Sequence, residues 1–271
     1  MPGNDLNRQR VAVLGLGVSG RAAARALAQR GASVIEADDS VTGPGIVRGA
    51  DLDLDAVDLI IASPGWRPAA APLPEAAARA IPVWSEVELA WRLRANPAAP
   101  WLCVTGTNGK TTTVEMTRSI LAAAGWRAQA AGNVGTPLVQ AAADPATEVF
   151  ACELSSFQLH FAHTMAPRAA VLLNLAEDHL DWHGSFHAYA RDKARIFARA
   201  GAAIVGVDTP LAARLADGAA PPGAARASLT LGPPAAGQIG VADGVIVDRA
   251  FAAAAPARAD GAARADGAGH A

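Results

Sequence analysis

The stretch that most constrains this chain is VTGTNGKTTT, residues 104–113. An apolar run, WLCVT (101–105), leads into it. TTTVEMTRSILAAAG (111–125), with helical apolar spacing, leads out. Strand, glycine turn and helix make the first half of a crossover unit, and such units build parallel sheets. The turn also has the chemistry of a phosphate cradle: backbone N–H groups, a lysine as point charge, and a hydroxyl at the helix start suited to Mg2+. The general pattern G-x-x-x-x-G-K-[ST] would begin with glycine at position 104, which is valine here, so this loop is a short form that opens at Gly106. Gly106, Thr107, Asn108, Gly109, Lys110, Thr111 and Thr112 are the candidate phosphate-binding residues.

A second glycine turn lies upstream. VAVLG (11–15) reads as a strand, Gly15-Leu-Gly17-Val-Ser-Gly20 as a tight turn, RAAARALAQRG (21–31) as a helix that stops on glycine, and SVIEAD (33–38) as the next strand. On its face this is a dinucleotide fingerprint, with Asp38 in the acidic position. DLIIASPG (58–65) adds a strand broken at Ser-Pro-Gly, and EAAARA (75–80) and EVELAWRLR (86–94) read as helices. A nicotinamide-dependent oxidoreductase is the rival suggested by this first turn, but it leaves the phosphate loop and the residues around it without a task.

Ligands of parallel sheets bind at the carboxyl ends of the strands. Two further strand ends carry acid or imidazole. EVFACELSS (148–156) places Glu153 where an acid meets Mg2+ beside a phosphate loop, and NLAEDHLD (174–181) places Asp178 and His179 at the next strand end. His183 and His187 follow closely, while His160 and His163 are read as structural. SFHAYARDKARIFARAG (185–201) reads as one helix and AAIVGVD (202–208) as a strand.

Composition sharpens one point. Lys plus Arg total 23, yet only Lys110 and Lys193 are lysine. A chain that uses arginine for ordinary surface charge retains lysine where a primary amine is needed. The net charge of −2 and the lack of a basic cluster exclude nucleic acid as an expected partner. The apolar runs are too short to span a bilayer, so no membrane insertion is expected. Cys103 and Cys152 are read as two buried free thiols in a reducing cytoplasm.

The expected class is α/β: a Rossmann-like parallel-sheet domain (1–94), a Pro-containing linker (95–100) and a P-loop-type central domain (101–250). GAAPPGAARAS (218–228) and LGPPAAGQ (231–238) read as loops, and GVIVDRAF (244–251) as a last strand. The ARADGA repeats place residues 251–271 in a low-complexity tail expected to be disordered.

GTNGKTTT, GNVGTPL (132–138), ELSSFQL (153–159), NLAEDHLDWHGSFHAYARDKARIF (174–197) and GLGVSGRAAARAL (15–27) together resemble the Mur ligases over roughly residues 9–210. The resemblance implies a cytoplasmic, ATP-dependent amide ligase of peptidoglycan precursor synthesis. It would form an acyl phosphate on UDP-N-acetylmuramoyl-L-alanine and join it to D-glutamate, working as a monomer. It further implies that Lys110 holds the β/γ-phosphates and that Thr111 and Glu153 serve one Mg2+. His179 and Lys193 would serve a second, with Lys193 carbamylated by CO2. Asn133 and Ser155 would line the substrate channel, and Val18, Ser19, Asp38, Asp39 and Ser63 would face the UDP moiety. Family members carry a third, closing domain that has no counterpart here, so the chain reads as truncated and is expected to turn over poorly alone.

Overall fold

A computed structural model describes residues 6–251. Five parallel strands form the first sheet: β1 (Arg10–Leu14), β2 (Ser33–Ala37), β3 (Ile46–Val47), β4 (Leu59–Ala62) and β5 (Val83–Ser85), in the order β3-β2-β1-β4-β5. Its helices are α1 (Val18–Gln29), α2 (Leu73–Ala78) and α3 (Glu86–Leu93). The chain leaves β1 toward β2 on one side and later adds β4 on the other. The loops after β1 and β4 therefore diverge and leave a crevice at their carboxyl ends.

The second sheet repeats this logic with eight strands, ordered β13-β12-β11-β10-β9-β6-β8-β7. Its strands are β6 (Trp101–Thr105), β7 (Ala128–Gly132), β8 (Val149–Glu153), β9 (Ala169–Leu172), β10 (Ala202–Gly206), β11 (Ala225–Leu229), β12 (Gln238–Ala242) and β13 (Val245–Asp248). All pairs are parallel except the terminal β12–β13 hairpin. Six helices accompany it: α4 (Lys110–Ala123), α5 (Leu138–Ala141), α6 (Ser156–His160), α7 (Leu180–His183), α8 (Phe186–Ala194) and α9 (Pro210–Ala219). Because β6 lies between β8 and β9, three adjacent strands deliver the phosphate loop, Glu153 and the Asn174–His179 segment to one edge.

Three sequence expectations change. Residues 225–228, within a stretch expected to be loop, form β11 together with Leu229, and Gln238, at the end of the other expected loop, opens β12. ARASL has no apolar run to announce a strand; pairing with β10, Ala202 opposite Ala225 through Gly206 opposite Leu229, decides it. The helix expected over 185–201 ends at Ala194, and Arg195–Phe197 tighten into a 3-10 turn that drops Ile196 and Phe197 into the core. The expected disordered tail lies, from residue 252 onward, outside the described residues.

The two sheets share a core. Leu27, Trp84 and Leu89 of the first unit join one apolar cluster with Trp101, Leu138 and Phe150 of the second. Helix α3 carries two buried carboxylates into this seam. Glu88 accepts from the backbone N–H groups of His163 and Thr164, each at 2.8 Å, from the Thr164 hydroxyl, and from Arg92 at 2.7 Å. Glu86 accepts only the Val139 N–H, at 2.5 Å, and burial pushes its carboxyl up to about 7. Cys103 and Cys152 sit opposite each other on β6 and β8 as free, buried thiols. No helix among the described residues is long and apolar enough to cross a membrane.

Candidate functional site

The phosphate loop is shaped by two glycines. Gly106 has φ 157° and Gly109 φ 83°, conformations that side chains disfavour. Gly109 is the N-cap residue of α4, whose first turn contains no acidic residue, so the helix N-terminus is open to an anion. Asn174, at the end of β9, clamps the loop: its carboxamide oxygen accepts from Asn108 N–H at 2.9 Å and its nitrogen donates to the Asn108 carbonyl at 3.1 Å. The Thr107 hydroxyl accepts from Ala176 N–H at 3.0 Å and lies 3.0 Å from the Tyr189 hydroxyl.

Lys110 folds over the loop and donates to the carbonyls of Gly106 (3.0 Å) and Thr107 (2.9 Å). Thr111, the next residue, donates its hydroxyl to Glu153 Oε2 at 2.7 Å. Asn133 donates to the other oxygen, Oε1, at 3.0 Å, and its backbone N–H binds the Glu153 carbonyl. Gly132 makes that approach possible, since a Cβ there would lie 2.1 Å from the Glu153 carbonyl oxygen. A hydroxyl and a carboxylate converging at a phosphate loop are the hard oxygen donors that Mg2+ takes from a protein when phosphates and water complete its shell. Among the described residues no cluster of three or more His, Cys, Asp or Glu side chains forms a self-sufficient metal cage. The donor set thus fits a nucleotide-borne cation.

Lys193 is the second lysine at this loop. It is 2% exposed, and its ammonium donates to the Gly106 carbonyl at 2.9 Å and sits 4.7 Å from the centre of the Tyr189 ring. Burial, then the charge of Lys110, brings its pKa down to about 7, with Asp178 and Glu153 opposing. A lysine on a helix is ordinarily a solvated charge; this one is not. His179 adopts a left-handed backbone (φ 53°) at the N-cap of α7, pairs with Asp178 at 3.3 Å, and packs its ring 4.8 Å from Phe157. Thr112 lies exposed on the first turn of α4. Ser155 is the N-cap of α6 in a reciprocal capping box with Gln158, which occupies its hydroxyl.

The crevice between β1 and β4 is a separate cavity of about 520 Å3, lined by Val18, Ser19, Asp38, Asp39 and Ser63 among others. Ser63 donates to the Gly15 carbonyl at 2.6 Å and so ties the two loops together. Burial would raise the Asp38 carboxyl, but N–H bonds from Leu16, Val41 and Ser40 and the charge of Arg21 outweigh it and hold the group below its ordinary value. Asp39 accepts from Gly49 N–H at 3.0 Å. Helix α1 has Gly17 as its N-cap residue and so no side-chain cap, leaving its first N–H groups for an anion. Sequence reasoning missed Trp66 and Arg67 in the cavity wall, Asn174 as the loop clamp and Tyr189 as the partner of Thr107. The last had a signal, as the single tyrosine of the chain one turn before Lys193.

Two largely parallel α/β sheets open at their carboxyl edges, one on a Rossmann-like crevice and the other on a glycine loop backed by Glu153 and two lysines. Residues 104–235 match the Mur ligase middle domain. The chain is 46% identical over 256 residues to UDP-N-acetylmuramoylalanine--D-glutamate ligase of Mycolicibacterium smegmatis, covering 89% of this chain and 51% of that protein. It is 50% identical over 259 residues to the enzyme of the same name from Frankia casuarinae, covering 89% and 54%. The chain thus spans about half the length of these curated relatives. The crystal structure of UDP-N-acetylmuramate:L-alanyl-gamma-D-glutamyl-meso-diaminopimelate ligase from Neisseria meningitides shares the fold, with a TM-score of 0.54 at 18% identity over 90% of this chain and 85% of that one.

Proposed function

We propose that this chain is the substrate- and nucleotide-binding part of an ATP-dependent ligase that adds D-glutamate to UDP-N-acetylmuramoyl-L-alanine in cytoplasmic peptidoglycan precursor synthesis. The observation that carries this reading is the convergence of Lys110, Lys193 and the Thr111–Glu153 pair on one phosphate loop. The names of the relatives support the choice of substrates.

In this reading residues 1–94 hold the UDP moiety in the β1/β4 crevice, with Val18 and Ser19 at the open start of α1 and Asp38, Asp39 and Ser63 shaping the wall. Residues 101–250 hold ATP and the reacting carboxylate. Phosphoryl transfer is mainly a matter of alignment and charge neutralisation. The loop from Gly106 to Thr112 supplies backbone donors, and Lys110 shifts from the loop carbonyls to the β/γ-phosphates. Mg2+, when bound, neutralises phosphate charge beside Thr111 and Glu153. Asn133 orients Glu153, and Asn133 and Ser155 border the path of the substrate. His179 and Lys193 are the residues available to a second cation.

Lys193 suits that role once it carries CO2. Carbamylation requires the neutral amine, and a pKa near 7 leaves much of the group neutral at physiological pH. The product is an anionic oxygen donor for Mg2+. The acyl phosphate formed on the muramoyl-alanine carboxylate is then open to the amine of D-glutamate, with loss of phosphate. We place the chain as a monomer.

The test is two-part. ATP and UDP-N-acetylmuramoyl-L-alanine are titrated separately by calorimetry, and phosphate release is then measured with both plus D-glutamate. Binding of both is expected, and failure to bind either ends the reading. A second reading, nucleotide binding without turnover, follows from the half-length match to the relatives. Phosphate release well above background removes it.

A further inference from the structure

Behind the phosphate loop lies a buried hydrogen-bond chain that the functional reading does not use. The Ser156 hydroxyl lies 2.9 Å from His183 Nε2, His183 Nδ1 lies 2.9 Å from Asp192 Oδ2, and His160 Nδ1 lies 2.8 Å from the same oxygen. Ser156 is 1% exposed and the His183 side chain is fully buried. An ionised Asp192 can only accept, so both Nδ1 atoms donate to it. The remaining ring nitrogen, His183 Nε2, pairs with the Ser156 hydroxyl. Serine, histidine and aspartate in this order have the connectivity of a hydrolytic triad. Here the serine is sealed from solvent, so no substrate carbonyl can reach it.

The chain instead joins three helices, α6, α7 and α8, that begin next to or contain the residues proposed to serve the two cations. Ser156 opens α6 three residues after Glu153. His183 closes α7 four residues after His179. Asp192 immediately precedes Lys193 on α8. Helix α6 is held at both ends, by Ser156 through His183 and by His160 through Asp192. The ring of Phe157 stacks on His183 at 5.5 Å and 8°, and also packs against His179. Hydrogen bonds fix direction as well as distance, so the network sets how the Glu153 strand end, the His179 turn and the Lys193 helix face one another.

We propose that Ser156, His183 and Asp192 are positioning residues, a brace that holds Glu153 at the first of the two proposed cation positions and His179 and Lys193 at the second. The proposal rests on the nucleotide-and-cation reading above. Groups that orient cation ligands typically change metal affinity by about 10–100-fold when removed. Loss of packing alone would lower stability without selectivity for the metal.

The test uses Mn2+ as the probe, read by electron paramagnetic resonance in the presence of ADP, with ADP binding in EDTA measured in parallel by calorimetry. Asp192→Asn is expected to weaken Mn2+ about tenfold or more and leave metal-free ADP affinity within about twofold. Ser156→Ala deletes one hydroxyl and is expected to weaken Mn2+ about threefold; it carries the test if Asp192→Asn does not fold. Unchanged Mn2+ affinity in a folded variant, or an equal loss of ADP and Mn2+ binding, would overturn the brace. No Mn2+ binding by the parent chain in the presence of ADP would overturn the underlying reading instead.

Discussion

Lys110 and Lys193 donate to the same oxygen, the carbonyl of Gly106, at 3.0 and 2.9 Å. Two ammonium groups on one carbonyl repel, and the buried one yields: burial and Lys110 together lower Lys193 to about 7. Under the proposed function, an arriving triphosphate would relieve the conflict by drawing Lys110 outward. The proposed function gives the two lysines different tasks, Lys110 as a charge for phosphate and Lys193 as an amine that can lose its proton.

Lys110→Ala removes the point charge from the loop. In a ligase assay with the closing domain present, the expected loss is about 3 kcal/mol of transition-state stabilisation, on the scale of one key electrostatic donor. A fall of less than tenfold in kcat/KM would count against the phosphate role.

Lys193→Arg keeps a cation but cannot form the lysine carbamate. Activity is expected to vanish and to stay absent in added bicarbonate, and a carbon-13 carbamate signal seen with labelled bicarbonate in the parent should be missing. Unchanged turnover would remove the carbamate idea.

The same lysine sets a pH trend in stability. Its pKa lies near 7 when folded and near 10.5 when unfolded, so the unfolded chain binds more protons between these values. Stability therefore rises with pH across that window. Lys193→Met, which has no proton to lose, should gain its largest advantage over the parent below pH 7, with the gap narrowing toward pH 10, as read from urea midpoints.

Glu86 gives the opposite slope at lower pH. Burial raises its carboxyl from 4.5 to about 7, so the folded state binds the extra proton between those values. Its contribution is complete below pH 4.5 and is lost as pH rises through 7. Glu86→Gln keeps an acceptor for Val139 N–H and should become more stable relative to the parent as pH rises from 4.5 to 7. A difference that stays constant with pH would show that the carboxyl does not titrate in this window.

Gly132→Ala tests the seat of Glu153. At φ 125°, with a would-be Cβ 2.1 Å from the Glu153 carbonyl, the backbone must shift. A loss of about 2 kcal/mol or more is expected, together with weaker Mg-nucleotide binding, measured by thermal shift and calorimetry.

The sequence by itself determined the two strand–glycine–helix units, because apolar runs bounded by glycine specify backbone states locally. It also determined the chemistry of the loop, since Gly106, Gly109, Lys110 and Thr111 are contiguous. It singled out Lys193, through lysine scarcity, without giving its surroundings. Tertiary structure decided the rest. Strand order placed β8 and β9 on either side of β6, and only that order brings Glu153 to Thr111, Asn174 to Asn108 and Lys193 to Gly106. It turned residues 225–228 into strand by pairing them with β10, where local composition had read as loop. It buried Glu86, Glu88 and the Ser156–His183–Asp192 chain in positions that no periodicity marks. Local pattern fixes backbone geometry within a few residues, while the partner of a buried polar group is chosen by contacts between residues far apart in the chain, and those exist only once the sheets have assembled.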